Sequence, residues 1–153
     1  MRIAIIVAVA FTAALSAAQA PNEPRAFLEA WADTNGPDGE TWHLVVDGAG
    51  NAEVSYWSGP GAAPSERQFH LSEAARDAIV AAARDARFLD LPKSLGPELI
   101  PIHGPEIVVQ LTLDRRTRKV FLNDPKSAGG PDVERFRRVW RAVVAASPTK
   151  PPL

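Results

Sequence analysis

Twice along this chain a hairpin of period-two alternation gives way to a run of helical period. That double switch points to helices packed against an antiparallel sheet. In the first unit, Trp42, Leu44 and Val46 alternate with His43, Val45 and Asp47. Asp47-Gly48-Ala49-Gly50-Asn51 supplies residues that tolerate positive φ, and Ala52, Val54 and Tyr56 then alternate with Glu53, Ser55 and Trp57. A Gly/Pro loop spans Ser58 to Pro64, and Arg67 to Leu71 reads as a third short strand. Ser72 caps a helix that runs to about Arg87, with Ala75, Ile79, Ala82, Ala83 and Ala86 on one side, small enough to lie close to a sheet. Phe88, Leu89 and Leu91 close the core before Pro92.

In the second unit, Ile107, Val109, Leu111 and Leu113 share one strand face, and Val108, Gln110 and Thr112 share the other. Asp114 to Thr117 turns the chain, and Arg118 to Leu122 returns. Gly130-Pro131 opens a final helix whose stripe is Val133, Phe136, Trp140, Val143 and Val144, with Asp132 and Glu134 at its positive end. Before the first hairpin, Pro24 to Trp31 is expected to form a short helix carrying Phe27, Leu28 and Trp31 on one side. The segment from 93 to 105, with three prolines, reads as an ordered loop, and residues 147–153 read as a disordered tail. The expected fold is α+β: an antiparallel sheet of four to five strands in two hairpins, with helices on one face, in a single domain over residues 21–146.

This organisation resembles small secreted or periplasmic bacterial domains of unknown function. The likeness is carried by Asp47-Gly48 at a hairpin turn, Leu71-Ser72-Glu73 opening a helix, Phe88-Leu89-Asp90-Leu91-Pro92 closing it, and the second hairpin that follows. The resemblance implies no assigned activity, and so no catalytic residue.

The first twenty residues read as a signal peptide. Arg2 gives a positive start, Ile3 to Leu15 an apolar run, and Ala18-Gln19-Ala20 a small-x-small cleavage site. The run is shorter than the roughly 20 apolar residues of a membrane-spanning helix, so a protein beginning at Pro21 is expected in a periplasm or outside the cell, with no membrane span after cleavage. The chain has no cysteine. Disulfides, thiol catalysis and cysteine metal ligands are therefore excluded, and stability must come from packing.

The formal charge of the chain is −1, which predicts no generic affinity for nucleic acid. Its distribution is uneven. Residues 21–106 hold 6 Lys/Arg against 14 Asp/Glu, whereas residues 107–153 hold 10 against 4. Nine of these cations fall between Arg115 and Arg141. The basic tip Arg115, Arg116, Arg118 and Lys119, beside helical Arg135, Arg137, Arg138 and Arg141, is the best candidate for binding an anionic ligand or an acidic envelope protein. Trp57, at a strand end next to the Gly/Pro loop, is expected to be exposed and to mark an interaction edge with Tyr56; Trp31, Trp42 and Trp140 are read as core-facing.

Enzymatic chemistry has thinner support. His43, His70 and His103 are the only histidines, and if the first hairpin and the following strand pair in one sheet, His43 and His70 could share a face that His103 and Glu106 approach to make a zinc site. No spacing fixes two of them on one element, and no G-x-S-x-G elbow or phosphate-cradling loop is present. The sequence thus favours a non-catalytic binding or structural domain of the cell envelope, monomeric and without cofactor. A small hydrolase or metal-dependent enzyme built on the three histidines is the first alternative. The second is an inhibitor-like recognition module probing with the 93–105 loop or the 115–119 tip.

Overall fold

The computed structural model describes residues 26–34, 39–97 and 104–153. The expected leader and His103 lie outside the described residues. The protein is a mixed α+β fold built on one seven-stranded sheet and two long helices. Strands β1 (Leu28–Asp33), β2 (Thr41–Val46), β3 (Asn51–Trp57) and β4 (Ser65–His70) run as an antiparallel meander. Helix α1 (Glu73–Asp85) and a 3₁₀ turn (Phe88–Asp90) follow, then β5 (Ser94–Leu95), the hairpin of β6 (Glu106–Leu113) and β7 (Arg116–Asn123), and helix α2 (Pro131–Ala146).

The order across the sheet is β4-β3-β2-β1-β6-β7-β5, with only β5 parallel to its neighbour. The expected short helix ending at Trp31 is instead β1, the central strand, and it pairs with β2 on one side and β6 on the other. Leu28, Ala30 and Ala32 are fully buried and alternate with the half-buried Glu29, Trp31 and Asp33. Leu, Glu and Ala favour helix, but two flanking ladders that each satisfy a row of backbone groups override so weak a local preference. This strand fuses the two expected hairpins into a single sheet, and with β5, which falls in the expected 93–105 loop, it brings the strand count to seven.

Both helices cover the same sheet face. Ile79, Ala83 and Ala86 from the α1 region and Val133, Phe136, Val139 and Val143 from α2 close one core with Trp42, Leu44, Val109, Leu111 and Leu122. Ser72 caps α1 by accepting from the Ala75 amide. Trp42 and Trp140 meet edge to face at 5.6 Å, a geometry that adds about 0.5–1.5 kcal/mol beyond area burial. The Trp42 indole donates to the Thr149 carbonyl at 2.9 Å, and Ser147 is buried, so the segment expected to fray lies docked against the core.

At the β2–β3 turn, Asp47 accepts from the amides of Ala49 and Asn51 and from the Asn51 side chain. The Asn51 side-chain bond leads in holding the Asp47 carboxyl below its ordinary range. Gly96, at φ +102, lets β5 approach β7: a Cβ there would stand 2.3 Å from the Asn123 carbonyl oxygen.

Candidate functional site

Because α1 and α2 share one face, the other face of the sheet carries no helix among the described residues. Strand register sets its side chains in rows. One row reads Glu66, Ser55, His43, Trp31, Val108, Phe121 and Ser94 across all seven strands. Beside it lie Gln68, Glu53, Val45, Glu29, Gln110 and Lys119, and on the other side Thr41, Asp33, Glu106 and Asn123.

Trp31 sits at the middle of this face. His43 meets its ring edge to face at 5.8 Å, and the Lys119 ammonium stands 4.2 Å from the Trp31 ring centre and 5.1 Å from that of Phe121. Val108, between Trp31 and Phe121 in the same row, is nonetheless fully buried. His43 Nε2 contacts Glu29 Oε1 at 3.2 Å. Glu106 is opposite Asp33 in the β1–β6 ladder. Burial, then the Asp33 charge, push its carboxyl above the ordinary range, against the opposing pull of Lys119. Among the described strand residues, those on this face include the carboxylates Glu29, Asp33, Glu53, Glu66 and Glu106 against one Lys/Arg, Lys119, so its field is acidic.

The residues singled out from sequence divide between the two faces. Arg116 and Arg118 point to the helix side: Arg116 reaches Asp90 at 3.6 Å, and Arg118 donates to the Leu91 carbonyl, so both tie β7 to the turn after α1. Arg115 stands exposed at the hairpin tip. Lys119 alone of the four reaches the helix-free face, since a strand sends successive side chains to opposite sides. On α2, Arg135 donates to the carbonyls of Ala86 and Arg87, and Arg137 to those of Pro125 and Ala128, so these two cations serve as braces. Trp57 is half-buried, and its indole donates to the Ala62 carbonyl at 3.1 Å, fastening the Gly/Pro loop.

His43 and His70 share the helix-free face but stand two strands and four residues apart. That is about 17 Å by standard strand spacing, far outside one coordination sphere. No group of three His, Cys, Asp or Glu side chains among the described residues is placed to hold a metal ion.

Sequence reasoning missed Trp31 because it assigned a helical period to a segment whose burial has period two. The signal was the alternation in Leu-Glu-Ala-Trp-Ala-Asp, with small or apolar residues on one side and Glu, Trp and Asp on the other. A concave feature was also not foreseen: a hollow of about 250 Å³ beneath α2, walled by Ile107, Leu122, Trp140 and Leu153 and rimmed by Lys126, Arg137 and Arg141. No protein family and no curated protein matches the chain. No helix among the described residues is long and apolar enough to cross a membrane.

Proposed function

We propose that the protein is an exported, non-catalytic binding domain of the cell envelope, and that it docks a protein partner on the helix-free sheet face around Trp31. The observation that carries this reading is the placement of Trp31 and Phe121, with Lys119 across both rings, on a face that no described helix covers. A large indole gains free energy by leaving water, and a half-buried one at the centre of a sheet is the kind of anchor around which protein interfaces concentrate binding energy. The surrounding carboxylates favour a partner with a basic surface and oppose face-to-face pairing of two copies. Export rests on residues 1–20.

The test is capture of a partner from an envelope extract by the immobilised protein, followed by competition. Trp31→Ala and the pair Glu53→Lys with Glu66→Lys should each abolish capture, while Arg115→Glu at the hairpin tip should leave it intact. Loss on Arg115→Glu with retention on Trp31→Ala would transfer the site to the cationic tip and overturn the reading.

A further inference from the structure

We infer that the hollow beneath α2 is a binding site for a small amphiphilic anion, a carboxylate carrying a short unbranched apolar tail. It uses none of the residues of the sheet face and stands independently of the reading given above.

The chemistry is divided by position. Ile107 and Leu122 form the floor and are core residues, 4% and 0% exposed, so the hollow opens directly onto the protein interior. Trp140 and Leu153 make apolar walls. The rim is cationic: Lys126 and Arg141 are exposed, and Arg137 is half-buried and fixed in place. Arg137 spends its donors on Glu134 at 2.5 Å and on the carbonyls of Pro125 and Ala128, each at 2.8 Å, so its charge is held at the mouth at little further conformational cost. No Asp or Glu side chain among the described residues lines the hollow, although Glu134 contacts Arg137 from outside it.

An apolar floor beneath a cationic mouth selects a ligand of matching polarity. A neutral alkane would leave the rim without a partner, and a small hydrophilic anion would leave the floor unfilled. At roughly 30 Å³ per water-sized group, about 250 Å³ takes on the order of eight methylene-sized groups, which suits a medium-chain acid and not a full-length membrane lipid tail. The carboxylate would lie between Arg141 and Lys126, with the tail running down towards Leu122.

The experiment is calorimetric titration of the purified protein with sodium octanoate, and in parallel with sodium acetate and 1-octanol. Octanoate should bind saturably, with acetate and octanol each at least tenfold weaker. The double variant Lys126→Glu with Arg141→Glu, at two exposed positions, should lose at least tenfold in octanoate affinity while keeping the wild-type circular dichroism and melting temperature. Absence of saturable octanoate binding would overturn the inference. So would octanol binding as tightly as octanoate, or the double variant binding octanoate as the wild type does.

Discussion

The Lys119 ammonium lies over the face of the Trp31 ring, 4.2 Å from its centre, and thereby ties the β6–β7 hairpin to the central strand on the side of the sheet that no described helix covers. Phe121 shares the same cation at 5.1 Å. Lys119→Ala should cost about 0.5–1 kcal/mol, the usual worth of a partly exposed cation–π contact. It should also increase acrylamide quenching of tryptophan fluorescence, since the Trp31 face loses its cover. Urea denaturation and quenching measured together would check both effects; unchanged values for both would mean that the contact does not form in solution.

Arg135 joins the two helices end to side. Its Nε donates to the Ala86 carbonyl at 2.6 Å and its Nη2 to the Arg87 carbonyl at 2.9 Å, while Nη1 holds Asp132 at 2.7 Å. These carbonyls belong to the C-terminal end of α1, where the helix runs out of internal donors. Arg135→Ala should destabilise by about 1–3 kcal/mol, because it strands acceptors that are partly shielded from water. Arg135→Lys should recover less than half of the loss, since an ammonium cannot match the planar fork. Melting curves of the two variants decide this.

The β6–β7 turn places Asp114 at φ 49 and Arg115 at φ 64, both in the left-handed region. A two-residue hairpin turn of this kind favours Gly at its second position. Arg115→Gly should therefore stabilise the protein by about 0.5–1 kcal/mol and raise its melting temperature by a few degrees. Arg115→Val, with a β-branched side chain at the same φ, should lower it.

Glu106 titrates above its ordinary value near 4.5, chiefly through burial and then through the Asp33 charge. A folded-state pKa raised above the unfolded one means that the native state holds this proton more tightly. The associated stability is present below the ordinary value and is lost as pH rises through the raised one. Glu106→Gln, which keeps the shape without the charge, should thus stabilise the protein at pH 7 and have little effect near pH 3. Urea midpoints at the two pH values give the sign; a variant less stable than wild type at pH 7 would refute it.

The sequence by itself determined both helices and most of the strands. Ser72 as a cap, Pro131 at a helix start and the alternations of 42–57 and 106–113 are local rules acting over a few residues, and each appears in the structure within a few positions. Tertiary structure alone decided the identity of β1. Its six residues carry a helix-favouring composition, and only the ladders to β2 and β6, with partners 8 to 18 residues away in one case and more than seventy in the other, hold it extended. That assignment in turn decided which face Trp31 occupies and set it beside Lys119, which the alternation of β7 sends to the same side. The hollow beneath α2 was beyond sequence for the same reason. Ile107, Leu122, Trp140 and Leu153 come from four separate segments, and their shared space exists only once the sheet, α2 and the docked C-terminal segment have packed. Local chemistry specifies period and caps, but a face, a row and a cavity are relations between distant segments, and the packing free energy of the whole chain sets them.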